Sequence, residues 1–282
     1  MGIAFLILGI ISMIFGGELM KSFNLGILEV PYLGICITVG VMVSGIIGYH
    51  LLEKFKLNTD NLFLLFTYVG TLGIVGAKIL YLILNIKAVE WNRLLEYKYV
   101  EQLLGGGFVF YGGFLGGIIG LLLAKKIHNI NILEYMTILI PCVPIAHAFG
   151  RIGCALASCC YGIPYSGAFH VIYHAPAFAP IEQPLFPVQL LEAFINFGIA
   201  AILIFFILKK GKSIMNILLY LYSYSISRFF LEYLRYDSSE RKIFGVFSTS
   251  QWISIGILVL VTGFAVRENS RKQQGLKKKC RK

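Results

Sequence analysis

Charged side chains are scarce in this sequence. Asp, Glu, Lys and Arg make up 14% of 282 residues, against about 25% in ordinary soluble domains, and the mean hydropathy is +0.78. That balance excludes a soluble globular reading. The chain also has no tandem repeat and no C-x-x-C pair, and its six cysteines do not form a disulfide framework. Cys36 and Cys142 sit inside apolar runs, where they read as small fillers. The apolar segment Gly2–Phe15 lacks both a basic n-region and a small-residue cleavage site. It reads as an extra helix or an interfacial arm, and Met20 offers a second candidate start. The net charge of +11 lies between apolar runs and in the tail, which points to membrane orientation and to no nucleic acid.

Apolar segments near the ~20 residues needed to cross a bilayer core recur seven times: 31–52, 62–84, 107–124, 132–149, 186–208, 214–233 and 245–266. The expected fold is therefore all-α. It is a polytopic integral membrane protein of seven transmembrane helices, or eight with the N-terminal segment, in one domain over 1–266 with a basic tail over 267–282. Lys54, Lys56, Lys125, Lys126, Lys209, Lys210, Lys212 and the tail fall on one side, which the positive-inside rule makes cytoplasmic. The loop 152–185, devoid of Lys and Arg, then faces outward, as does the loop around Asp237. The tail reads as a solvated run drawn to anionic headgroups.

The chemistry concentrates in PIAHAFGRIGCALASCCYGIP, Pro144–Pro164. As a helix, His147, Arg151, Cys154 and Ser158 would share one face. Such groups at a membrane boundary are costly without a polar ligand or one another. A second polar face gathers Tyr224, Arg228, Glu232 and Arg235, with Arg228 and Glu232 spaced for an ion pair. Two guanidiniums at one boundary make a clamp for a phosphodiester. Gln189 and Glu192 share a face at the start of the fifth span, either as a polar cap or as a functional pair. Gly112 and Gly113 either pack helices closely or let backbone approach a lipid headgroup, with Tyr111 supplying a hydroxyl. Lys78 either snorkels or adds positive charge to that site. His170 and His174 with Cys154, Cys159 and Cys160 are weak evidence for a soft metal site, and neither metal nor cofactor is expected.

YGG at Tyr111–Gly113, GRIG at Gly150–Gly153, PVQLLE at Pro187–Glu192 and SRFFLEYLR at Ser227–Arg235 resemble, in that order, the motifs of prolipoprotein diacylglyceryl transferases. VPYLGICITVG around Tyr32 and GAKILY around Lys78 resemble that family's first two spans, and the likeness runs from about Phe23 to Val266. SCCYG at Ser158–Gly162 resembles a cysteine-bearing, GCCYG-type branch. The resemblance implies an enzyme of the bacterial cell membrane with an outward active site and a cytoplasmic C-terminus. It would move a diacylglyceryl group from phosphatidylglycerol to the lipobox cysteine of a prolipoprotein, releasing glycerol 1-phosphate. It further implies that Arg151 and Arg228 hold the phosphate, that Glu232 orients Arg228, and that Tyr32 and Tyr224 line the headgroup pocket. Tyr111 stands where the family usually has His, and Cys154 where it usually has Asn. Phe186 and Leu191–Glu192 stand in place of His and Tyr-Glu. The usual candidate base is thus missing, leaving His147 as a substitute, or the cationic field alone to deprotonate the acceptor. Two alternatives remain open: the same fold acting on another acceptor through its own cysteines, and a non-enzymatic phospholipid-binding or transport protein.

Overall fold

An apolar backbone inside a bilayer must satisfy its own N–H and C=O groups, so long apolar runs become helices. A computed structural model describes residues 22–24, 29–105, 107–174, 177–238, 242–243 and 245–279. Its helices are α1 (Tyr32–Lys54), α2 (Asp60–Leu84), α3 (Tyr97–Gly105), α4 (Phe110–His128), α5 (Ile132–Leu139), α6 (Cys142–Leu156), α7 (Val188–Lys210), α8 (Ile214–Leu231) and α9 (Thr249–Lys279). Short antiparallel pairs join β1 (Ser22–Asn24) to β2 (Glu29–Pro31), β3 (Val171–Ile172) to β4 (Pro184–Leu185), and β5 (Lys242–Ile243) to β6 (Phe247–Ser248). The N-terminal segment Gly2–Phe15, Met20 and Cys280 lie outside the described residues.

Five helices are long and apolar enough to cross a membrane, or six if α5 and α6, bent by 52° at their junction, count as one span. Seven spans were expected, and the third of them falls on α4. The bend sits at Pro141, whose missing N–H and ring interrupt the helix. Helix ends follow their sequence signals. Ser213 caps α8 by accepting from the Met215 N–H, and α7 stops at Gly211 with φ 78°. α9 runs on from the apolar span into the basic residues as far as Lys279.

The chain divides into two compact units, Met1–Gly48 with Thr137–Lys282, and Tyr49–Met136. In the smaller unit, α2 and α4 meet along glycines. A Cβ on Gly120 would lie 2.6 Å from the Tyr68 carbonyl oxygen, and one on Gly116 would meet the Leu72 carbonyl. In the larger unit, α1 lies against α6. A Cβ on Gly153 would lie 2.8 Å from Leu33 Cδ1 and 3.0 Å from Cys36 Cβ, while Ser44 Oγ donates to the Cys142 carbonyl at 3.0 Å. Polar side chains turn inward and apolar ones outward, as a lipid solvent requires. Asn196, Asn216, Ser225 and Gln251 are buried, whereas Met42, Ile46, Phe194, Phe205 and Leu260 are exposed.

Candidate functional site

α6 and α7 pack face to face in the larger unit and bring three ionisable groups together. Arg151 Nε lies 3.0 Å from Glu192 Oε2 in an ion pair and donates to His147 Nε2 at 3.2 Å. His147 Nε2 therefore accepts, and the ring proton sits on Nδ1. Glu192 is 2% exposed, and a carboxylate that deep is tolerable only beside a cation. Its helix also buries Gln189, which donates to the Cys159 carbonyl at 2.8 Å and to the Tyr173 hydroxyl at 3.3 Å. Gln189 and Glu192 do share the face expected of them, and that face is packed inside the protein.

α8 supplies the second cation. Arg228 Nη2 lies 2.7 Å from Glu232 Oε2 and donates to Ser250 Oγ at 3.1 Å. Arg228 Nη1 is buried without a hydrogen-bond partner, and the two Nη groups of Arg151 have none among the described residues. Tyr224 is the residue both arginines act on. Its ring lies 5.4 Å from that of His147 and 5.9 Å from Tyr220, on which it stacks. Tyr224 falls within electrostatic reach of Glu192, Arg228, Arg151 and Glu232, and His147 within reach of Arg151, Glu192 and Arg228. Two largely buried guanidiniums, each paired with its own carboxylate and each with donors unused, lie within electrostatic reach of one tyrosine.

Two expectations need correction. Ser158 does not share the face of His147 and Arg151, because α6 ends at Leu156 and Ser158 takes φ 53°. Its hydroxyl instead accepts from the Phe178 N–H at 3.0 Å. Arg235 does not continue the face of Arg228, because α8 gives way to a 3-10 turn at Glu232–Leu234 and Arg235 is extended. It is held by Asp237 through two hydrogen bonds, 3.0 and 3.1 Å.

Beyond α6 the thiols of Cys154, Cys159 and Cys160 come within 4.8 Å of one another. Hydrogen bonds from Cys154 and Cys159 hold the Cys160 thiol below its ordinary value, aided by the Arg235 and Arg151 charges. Cys159, bonded to the other two and buried, is pushed up. The histidines do not join them. His170 Nδ1 is 2.8 Å from the Gly167 carbonyl and His174 Nδ1 is 2.7 Å from Glu182 Oε1.

Tyr32 packs against the core formed by Cys36, Ala155, Leu156 and Tyr173. Gly153 serves the α1–α6 contact, whereas a Cβ on Gly150 would meet nothing within 4 Å. Lys78, Tyr111, Gly112 and Gly113 belong to the smaller unit. There Lys78 donates to the Leu103 carbonyl and lies 4.9 Å from the Tyr81 ring centroid, so its charge is used at the end of α3. Gly112 is buried against Gly76, which favours its packing role, and Tyr111 is exposed. Sequence reasoning missed Ser250 and Gln251, which tie α9 to Arg228 and to the Phe229 carbonyl. The polar cluster Ser248–Gln251 opening an apolar span was the available signal.

Residues 21–267 match the family model described as prolipoprotein diacylglyceryl transferase. The chain is 34% identical over 232 residues to phosphatidylglycerol--prolipoprotein diacylglyceryl transferase 2 of Clostridium perfringens, covering 82% of this chain and 88% of that protein. It is 34% identical over 239 residues to the enzyme of that name from Clostridium tetani, covering 84% and 93%. A Staphylococcus aureus enzyme of the same name is 31% identical over 225 residues, covering 77% and 78%.

Proposed function

The chain belongs to the prolipoprotein diacylglyceryl transferase family, and from that premise we propose that it transfers a diacylglyceryl group from phosphatidylglycerol to the lipobox cysteine of a prolipoprotein, releasing glycerol 1-phosphate. One observation carries the reading: Arg151 and Arg228 are held beside Tyr224 with guanidinium donors unspent. A phosphodiester fits those donors without displacing Glu192 or Glu232, and each charge-assisted bond is worth about 1.5–3 kcal/mol.

In this reading the acceptor sulfur attacks the glycerol carbon of the donor. The C–S bond forms, the bond from that carbon to the phosphate oxygen breaks, and negative charge gathers on the leaving phosphate. Arg151 Nη and Arg228 Nη1 face that charge. Because both guanidiniums are already fixed by carboxylates, little reorganisation accompanies its growth. Glu232 and Ser250 orient Arg228, Glu192 and His147 orient Arg151, and Tyr224 with Tyr32 borders the headgroup. Gly150, open at its Cα, leaves room for lipid beside Arg151. With α1, α2, α5–α6, α7, α8 and α9 counted as six spans, α4 makes the seventh, in a multi-pass bacterial membrane protein whose site opens outward.

Expression in a bacterium lacking its own diacylglyceryl transferase tests the proposal. The wild-type chain restores lipoprotein maturation. Arg151→Ala and Arg228→Ala do not, at equal membrane abundance. Failure of the wild-type chain, where a standard family member succeeds, overturns the reading.

A further inference from the structure

Three thiols are gathered here that the clamp does not use. Cys154 leaves the last turn of α6, and Cys159 and Cys160 return on a turn in which Ser158 and Cys160 take φ 53° and 56°. Left-handed conformations at non-glycine residues cost about 1–2 kcal/mol each. They persist only where the surroundings over-determine them. Here the Cys159 N–H donates to the Cys154 carbonyl at 3.0 Å, Gln189 holds the Cys159 carbonyl, and the Tyr236 N–H donates to the Tyr161 carbonyl at 3.2 Å. The strain is spent on bringing three sulfurs within 4.8 Å of one another. Zn–S bonds of about 2.3 Å in a tetrahedron set neighbouring sulfurs about 3.8 Å apart, so a small contraction suffices. Among the described residues no fourth His, Cys, Asp or Glu joins the group. Three protein ligands and one open position are the pattern of zinc sites that bind a substrate. Arg235 lies within electrostatic reach of Cys160, and Arg151 within reach of Cys154 and Cys160. These two cations offset the negative charge of a zinc–thiolate group.

We propose that Cys154, Cys159 and Cys160 bind a zinc ion whose open fourth position takes the thiolate of the acceptor cysteine. The second half of this inference rests on the transferase reading. It answers a gap in that reading: Tyr111 replaces the histidine usual in the resembled motif, and the acceptor nitrogen of His147 is occupied by Arg151. On coordination the acceptor thiol releases its proton to water, because a thiol bound to zinc is deprotonated. A lone pair of the zinc-bound sulfur then forms the C–S bond as the carbon–oxygen bond to phosphate breaks, and the bonding electrons leave on glycerol 1-phosphate. Nothing is oxidised or reduced.

The full-length protein in detergent, kept reduced, is stripped with a chelator and reloaded with zinc or with cobalt as a spectroscopic probe. The expected result is stoichiometric zinc in the wild type and in Cys280→Ser, lost in Cys154→Ser, Cys159→Ser and Cys160→Ser. Arg235→Gln weakens zinc binding about tenfold or more. The cobalt form shows thiolate charge-transfer and tetrahedral bands that shift with a lipobox peptide containing Cys but not with its Ser counterpart. Reduced protein that takes up no zinc, or protein isolated metal-free with a disulfide among these thiols, overturns the site. A cobalt spectrum indifferent to the Cys peptide overturns the acceptor half. Stripped protein that transfers at the full rate also overturns the inference but leaves the transferase standing. Zinc-loaded protein whose cobalt form senses the peptide, yet which transfers nothing, supports the zinc site and overturns the transferase reading instead.

Discussion

Arg151 is set by an ion pair with Glu192 and a hydrogen bond to His147, and removing either has a distinct consequence. Glu192 is buried at 2% exposure beside it, so Glu192→Ala leaves a buried guanidinium uncompensated. A loss of about 3–5 kcal/mol is expected, read as a lowered thermal midpoint in detergent. Arg151→Lys does not restore activity, because an ammonium cannot serve Glu192, His147 and a phosphate from one plane. His147 accepts rather than abstracts. His147→Gln, which keeps an acceptor, therefore retains transfer within about tenfold with an unchanged pH profile, whereas His147→Leu, which keeps none, loses more. A general base at this position would be lost in both variants. The sequence showed His147 and Arg151 one turn apart, and helical spacing was enough to predict their meeting. It did not show Ser158 or Arg235 leaving their faces, because both depend on where a helix stops. Each stop is accompanied by tertiary bonds, from the Phe178 N–H to Ser158 and from the Ile163 N–H to the Leu234 carbonyl.

At the scale of elements, apolar runs announced the helices and glycine spacing announced the contact between α2 and α4. Between helices in lipid, close packing must replace the hydrophobic effect, so small residues define the seam. Gly116→Val or Gly120→Val forces backbone carbonyls of α2 away and costs about 1–3 kcal/mol, measured as lost thermal stability. Gly150→Ala, with open space at its Cα, leaves stability unchanged yet lowers transfer where lipid occupies that space. Gly153→Ala instead loosens α1 from α6. The break between α5 and α6 was not legible, since a proline near a span can as easily start a helix as bend one. The role of α9 was hidden for a related reason. Ser250 and Gln251 read as ordinary polar residues at a helix start until Arg228 and the Phe229 carbonyl are seen to receive them.

For the whole molecule, the distribution of lysine predicts the direction of the chain. A reporter fused after Lys282 should be active in the cytoplasm, and a single cysteine placed at Phe169 in a Cys-free background should react with an impermeant maleimide from outside. The opposite labelling would place the clamp on the wrong leaflet for secreted acceptors. Membership of the family was legible from four short motifs because each carries a costly residue: an intramembrane arginine, its carboxylate, or glycines that only close packing or ligand approach requires. The three clustered cysteines were legible only as weak evidence for a metal site shared with His170 and His174, and the histidines do not join them. The cysteines are one, five and six residues apart, matching no metal-ligand spacing, and the left-handed turn at Ser158 and Cys160 brings their thiols together.

The central claim is that two arginines, contributed by α6 and α8, grip one phosphate while it leaves. The most direct measurement mixes the purified protein with phosphatidylglycerol and a lipobox peptide and follows both the lipidated peptide and free glycerol 1-phosphate. The account predicts equal amounts of the two products, and a rate lower by about 10²–10³-fold in Arg151→Ala and in Arg228→Ala. Lipidated peptide formed at the wild-type rate by either variant would contradict it.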